Sequence, residues 1–187
     1  MRNACAESES DTVLLPNVET ATFQEFFTWL YLRQLSEPLK TTGAERMRLV
    51  KLWVFAETYI VPEFQNAALD ALHKSLDKHD SMPAPSVINY VYENTIYRSP
   101  LRKLFIDLVL EHGSITSYFD PAKVRPTPID ADFCQEVLFN YALRYEDEGL
   151  NKTQMEKAWD SRESCHYHVH NVKDTVASLD IPSKNLI

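Results

Sequence analysis

Apolar residues between positions 20 and 76 follow the helical period in three consecutive runs. The first run, 20–35, carries five apolar side chains at i, i+3, i+4, i+7 and i+8, the spacing that builds one helix face. These are Phe23, Phe26, Phe27, Leu30 and Tyr31. Thr22 followed by Glu25 predicts a capping box in the first turn of this helix.

The second run, 45–60, is apolar on nearly all sides, as expected of a helix in the middle of a core. A third helix is predicted to begin at Pro62, because proline suits the first turn of a helix. Its apolar residues repeat every four positions, at Phe64, Ala68, Leu72 and Leu76. The pattern therefore predicts three helices, 20–76, that share one core.

The sequence of these helices resembles the second half of a BTB/POZ domain, especially of the fungal kind. The segments that carry the resemblance are FQEFFTWLY and LVKLWVFAETYIVPEFQNAALDAL, and the match spans residues 12–78. Its anchor positions are Phe23, Phe27, Trp29, Leu30, Tyr31, Leu49, Leu52, Ala56, Tyr59, Leu69 and Leu72. The resemblance implies a truncated BTB/POZ-like α/β unit that retains one short strand, 12–16, and lacks the N-terminal half of the domain.

BTB domains dimerise or oligomerise, and some recruit cullin-type ubiquitin ligases or transcriptional repressors. The resemblance therefore implies protein partners, through self-association or through a cullin-type scaffold. Because the first half of such a domain is missing, we expect one apolar side of the helices in 20–76 to be uncovered, which favours association.

Helical patterns continue after a polar, proline-containing loop at 77–85. Three further helices are predicted, at 86–96, 99–113 and 132–146. Ser99 is the expected cap of the second, Pro100 its first residue and Gly113 its stop. We expect Phe133, Val137, Leu138, Tyr141 and Tyr145 to form the inner face of the last. The predicted organisation is a disordered N-terminus (1–11), a partial BTB/POZ-like domain (12–80), a helical extension (85–146) and a loosely structured tail (147–187).

Composition narrows the function classes. The formal net charge of −8 disfavours binding to nucleic acid or to an anionic membrane. Three widely separated cysteines and no signal-peptide pattern favour a soluble protein of the cytoplasm or nucleus. With only three glycines, the chain has no glycine-rich phosphate loop or nucleophile elbow. We therefore expect no catalytic residues and no cofactor.

One cluster of candidate metal ligands stands near the C-terminus, and its members are Cys165, His166, His168 and His170. If this segment were extended, the three imidazoles would share one side and could bind zinc. The alternative is a terminal strand or loop that packs Tyr167 and Val169 inward and leaves the histidines at the surface. Metal sites usually draw ligands from two separated segments, which favours this alternative.

The sequence thus predicts a mainly α protein whose function is to bind other proteins, as an oligomerising adaptor for a ubiquitin ligase or a transcriptional complex. The alternative function is a zinc-binding module or metal-dependent enzyme that uses the cluster from Cys165 to His170.

Overall fold

Helix α2, Thr42–Thr58, lies at the centre of the fold. The computed structural model describes residues 15, 18–39, 41–79, 82–122, 127–147 and 149–170. Within these ranges the chain is helical and contains no strand, so the mainly α prediction is confirmed. Of the predicted strand 12–16, only Leu15 is described, and the predicted disordered residues 1–11 lie outside the described ranges.

The α-helices follow one another with short connections. Their bounds are α1 Thr20–Leu32, α2 Thr42–Thr58, α3 Pro62–His79, α4 Pro85–Asn94, α5 Pro100–Asp107, α6 Ile115–Tyr118, α7 Ala131–Ala142 and α8 Lys152–Asp160. Two helices continue into a π-helical turn, α5 through Leu108–His112 and α7 through Leu143–Asp147. A 3₁₀ turn, Ser164–Tyr167, follows α8.

The core forms around α2 and α3, as the apolar patterns predict. Leu49, Leu52 and Trp53 of α2 are almost fully buried. The four-residue repeat of α3 is buried throughout, at Phe64, Ala68, Leu72 and Leu76. Helix α2 lies between α1, α3 and α4, which explains why its apolar residues surround it. The two residues after α2 differ from the prediction: the chain turns at Ile60 with a φ of 55°, and Tyr59 and Ile60 are exposed.

Helix α1 turns a different face to the core from the one expected, and Phe26 is the member of the predicted face that packs inward. Its inward side chains are Thr22, Phe26 and Trp29, whereas most of the predicted apolar face is exposed. The predicted capping box is wrong, because the helix begins at Thr20 and Thr22 lies inside it, without capping. The helix is apolar on both sides, so its periodicity alone does not say which side meets α2.

The helices after α3 pack onto the same core. Ser99 caps α5 by accepting a hydrogen bond from the Leu101 backbone N–H, and Pro100 is the first helical residue, as predicted. In α7, Phe133 is buried, but Leu138 is 68% exposed, so the broad inner face predicted for this helix is wrong. The reason is that α7 contacts α4 and α5 along one narrow side. Buried side chains from Trp29 to Tyr167 form one hydrophobic core.

The segment 149–170 is more ordered than the predicted loose tail. Asn151 and Gln154 form a capping box that starts α8, with each side chain bonded to the other residue's backbone N–H. Met155 and Trp159 of α8 are buried against the π-helical turn after α5. The rest of the predicted tail, 171–187, lies outside the described residues.

Candidate interaction surface

The outward side of α1 is a continuous row of apolar side chains, which we call the α1 outer face. It consists of Phe23, Phe27, Leu30 and Tyr31, which are 40%, 51%, 42% and 73% exposed. The rings of Phe27 and Tyr31, one helical turn apart, are 4.9 Å apart at their centroids and tilted. Because exposed aromatic rings in a row are costly to hydrate, this face favours burial against another surface.

The inner side of α1 fixes this face on a rigid base. The Phe26 ring lies 5.1 Å from that of Phe55 and 5.2 Å from that of Phe64, measured between centroids. Trp29 packs on the same Phe64 ring at 5.0 Å. Aromatic pairs at such distances contribute about 0.5–1.5 kcal/mol each beyond the area that they bury. The α1 outer face is therefore presented by a well-anchored helix.

The α1 outer face carries no charge. The only acidic or basic residue within α1 is Glu25, which is turned toward α2. Its Oε1 accepts a hydrogen bond from the Ser36 backbone N–H at 2.6 Å and lies 3.2 Å from the Arg48 guanidinium. At the C-terminal end of the helix, Arg33 pairs with Glu63 of α3 at 3.0 Å. This rim pair is exposed and adds little stability. The surface thus has an apolar centre and a polar edge, the anatomy of a protein interface.

The candidate metal ligands of the C-terminal segment do not converge on one point. In place of a strand, Cys165 and His166 lie in the 3₁₀ turn. His166 Nε2 faces Lys103 Nζ at 2.8 Å, and His168 Nε2 faces Asp70 Oδ1 at 2.7 Å. His170 Nε2 lies 3.5 Å from the Cys165 Sγ.

The inward packing of Tyr167 and Val169 agrees with the alternative in which the segment is a surface-packed terminus. Burial lowers the pKa of His166, and the nearby positive charge of Lys103 lowers it further. A neutral imidazole therefore accepts a hydrogen bond from this lysine. In the described part of the chain, no group of three or more histidine, cysteine or acidic side chains is arranged to hold a metal ion.

A buried ionic cluster, which was not predicted from the sequence, joins α5 and its π-helical turn to the residues that follow α7 and α8. It contains two carboxylates, two guanidinium groups and a phenol: Asp107, Glu111, Arg144, Arg162 and Tyr167. Asp107 is fully buried, and its carboxylate accepts hydrogen bonds from both arginines and from the Tyr167 hydroxyl. Burial raises the pKa of Glu111, against the opposing effect of Arg162. The sequence signal was an acidic pair four residues apart inside an apolar helix.

A cleft of about 710 Å³ opens between α5 and α7, and the buried guanidinium of Arg102 lies beside it. Arg102 donates hydrogen bonds to the backbone oxygens of Tyr92 and Thr95 and to the Thr95 hydroxyl, and it pairs with Glu136 at 3.3 Å. Because the donors of Arg102 are already engaged, this cation stabilises the packing of α4 on α5.

Burial raises the pKa of Glu57, on α2, to about 7, although the positive charge of Arg102 opposes this shift.

None of the helices in the described ranges combines the length and the apolar character that crossing a bilayer requires.

Comparison of the chain with known proteins found no match: no protein-family model, no curated protein and no solved structure matches it.

Proposed function

We propose that this chain is a protein–protein interaction module that acts in the cytoplasm or nucleus and self-associates through the α1 outer face. The resemblance to BTB/POZ proteins implies self-association in general, although the α1 outer face would replace the interface that such proteins build from the first half of the domain. An adaptor role for a ubiquitin ligase or a transcriptional complex would build on it. The observation that supports the proposal is the uncharged, exposed aromatic row on α1, at Phe23, Phe27, Leu30 and Tyr31.

The size of the face supports a weak but specific interface. The exposed parts of its four side chains amount to roughly 400 Å² of mainly apolar surface per copy. Two copies would bury about 800 Å² in total, which is in the range of weak and transient interfaces. We therefore expect a dimer that forms at micromolar concentrations and dissociates on dilution.

Charge favours a second copy at this place over other places on the surface. The chain carries a net charge of −8, so two copies repel one another wherever their acidic surfaces meet. The α1 outer face is free of this repulsion, because Glu25 is turned inward. Pairing of α1 with α1 around a two-fold axis would place identical apolar rows against each other.

The test compares the molar mass of the full chain and of two double variants by light scattering across a dilution series. Phe27→Glu with Tyr31→Glu places four acidic side chains in the proposed dimer interface and should yield monomers. Leu138→Glu with Phe139→Glu, on the exposed side of α7, is the matched control, since these residues are 68% and 64% exposed. The control should keep the mass of the wild-type dimer.

Three outcomes would contradict self-association through the α1 outer face. A wild-type chain that stays monomeric at every concentration shows that the α1 outer face does not bind a second copy. If the control on α7 abolishes association and the α1 variant does not, the interface lies on α7. Capture of a cullin-type scaffold by the wild-type monomer, lost in the α1 variant, would assign the face to that partner.

The same reasoning favours binding over catalysis. Catalysis needs titratable or nucleophilic groups that converge on a reacting atom. The cluster from Cys165 to His170 supplies one pair at 3.5 Å, and its remaining histidines face Lys103 and Asp70.

A further inference from the structure

Residues Arg162–His170, which we call the C-terminal strap, lie in a groove between α3 and α5. Two of its side chains point into the groove and are almost fully buried: Tyr167 is 1% exposed and Val169 is 5% exposed. Cys165, His166 and His170, on the outer side, are exposed. The chain becomes extended after the 3₁₀ turn, and His168, between the two anchors, is half-buried against Asp70. Anchors at alternate positions are how an extended peptide lies on a protein surface.

Asn66 of α3 holds the strap by its main chain. The Val169 backbone N–H donates to the Asn66 Oδ1 at 2.9 Å, and the Asn66 Nδ2 donates to the Val169 carbonyl oxygen at 3.1 Å. One side-chain amide therefore pairs with both backbone groups of a single residue. Such a clamp recognises extended backbone, and it requires only that the side chain at this position fits the groove.

The other end of the groove recognises charge and a phenol. Among the groups outside the strap, the buried carboxylates of Asp107 and Glu111 face one guanidinium, that of Arg144. The strap supplies the second positive charge through Arg162, at 2.9 Å from the Asp107 carboxylate, and a hydroxyl donor through Tyr167. Without the strap, these two carboxylates would have Arg144 as their one guanidinium partner among the contacts described. The groove therefore selects a segment with a cation five residues before a tyrosine.

We propose that the groove between α3 and α5 is a peptide-binding site that the strap occupies in cis. Its ligand is a segment of a partner protein with the pattern Arg-x-x-x-x-Tyr-x-Val, which replaces Arg162, Tyr167 and Val169 in the contacts described above. The strap then acts as a tethered competitor, and the partner binds by displacing it. This site is separate from the α1 outer face, so the proposal stands or falls independently of self-association.

The first test measures binding of a fluorescent peptide with the sequence of residues 161–170 to the full chain by polarisation. A tethered strap competes at an effective concentration in the millimolar range. We therefore expect the peptide to bind the variant Tyr167→Ala with Val169→Ala, which removes the two buried anchors of the strap, about tenfold or more tightly than it binds the wild-type chain. Adding Asn66→Ala to this variant should abolish binding.

Two peptides control for specificity. A peptide that carries alanine at the position of Tyr167 should not bind, because it lacks the buried anchor. A peptide that carries alanine at the position of His170 should bind unchanged, because that side chain is exposed. If the folded strap variant fails to bind the peptide, or binds both control peptides equally, the groove is not a peptide site. The unlabelled wild-type chain and the unlabelled peptide can also be compared as competitors of the fluorescent peptide on the strap variant. If the wild-type chain displaces the fluorescent peptide at the lower concentration, the groove binds the strap of a second copy, and the proposed partner is wrong.

A second measurement avoids reliance on the variant, which loses two buried side chains. Hydrogen exchange of the Val169 amide in the wild-type chain reports release of the strap, since this N–H is bonded to Asn66. Saturating unlabelled peptide should increase its exchange rate at least tenfold, while amides of α2 stay protected. An unchanged rate would mean that the strap is a permanent part of the core and would overturn the proposal.

Discussion

Replacing Asp107 by asparagine tests the buried ionic cluster that ties the C-terminal region to α5. The Asp107 carboxylate is fully buried and accepts hydrogen bonds from Arg144, Arg162 and the Tyr167 hydroxyl. Asparagine has nearly the same shape, so it leaves no cavity. It removes the negative charge that two guanidinium groups share, and it leaves Glu111 as their only carboxylate.

The structure sets the expected loss of stability. Neutralising one member of a buried ion pair costs about 3–5 kcal/mol, because the opposite charge stays buried without compensation. Glu111 still accepts from both arginines, so we expect the lower end, about 3 kcal/mol. This is a large part of the roughly 5–15 kcal/mol that stabilises an ordinary domain.

Urea unfolding followed by tryptophan fluorescence measures this change. With a slope of about 2 kcal/mol per molar urea, the midpoint should fall by about 1–2 M. Asp160→Asn, at the exposed end of α8, is the matched control and should stay within about 0.5 kcal/mol of the wild type. A loss below about 1 kcal/mol for Asp107→Asn would refute the reasoning, because it would mean that the two arginines do not depend on this carboxylate.

Three further predictions concern the core, one titrating carboxyl and the candidate metal ligands. Leu52→Ala removes a fully buried side chain at the centre of the fold and should lower the free energy of unfolding by about 2–5 kcal/mol, and an unchanged melting temperature would contradict the position of α2. The pKa of Glu57 is raised from 4.5 to about 7 by burial, so its contribution to stability is present below pH 4.5 and is lost as the pH rises to about 7. Glu57→Gln should therefore be about 1–3 kcal/mol more stable than the wild type at pH 8 and similar to it at pH 4, and a constant difference between these pH values would contradict the shift. Joint replacement of His166, His168 and His170 by alanine should leave self-association unchanged. Stoichiometric zinc in the native protein, lost together with folding in this variant, would instead support the metal alternative.

The core helices could be read from the sequence because their apolar residues leave no alternative side. Helix α2 is apolar all round and α3 repeats every four residues, so each had to be buried where it is. Ser99 and Pro100 specify the start of α5 through local chemistry, which depends on no distant part of the chain. These predictions rest on nearest neighbours in sequence.

The errors lie where a distant contact decides between local alternatives. Helix α1 carries aromatic residues on two sides, and only its packing on Phe55 and Phe64 selects the side of Phe26. The ionic cluster was missed because acidic side chains usually face solvent. The two arginines that pair with Asp107 are 37 and 55 residues away in the sequence. Segment 149–170 contains few apolar residues, but those few meet partners far away in the sequence.

The strap also sets a limit on how early the chain can fold during its synthesis. Its contacts are among the most distant in sequence: Val169 pairs with a residue 103 positions earlier, and His168 with one 98 positions earlier. Domains fold as units as the chain emerges from the ribosome, and such non-local contacts form late. Until residue 169 leaves the exit tunnel, the nascent chain exposes the groove, and Asp107 lacks the cover that the strap provides through Arg162 and Tyr167. We therefore expect it to be a substrate for chaperones over that interval, even after α2 and α3 have paired.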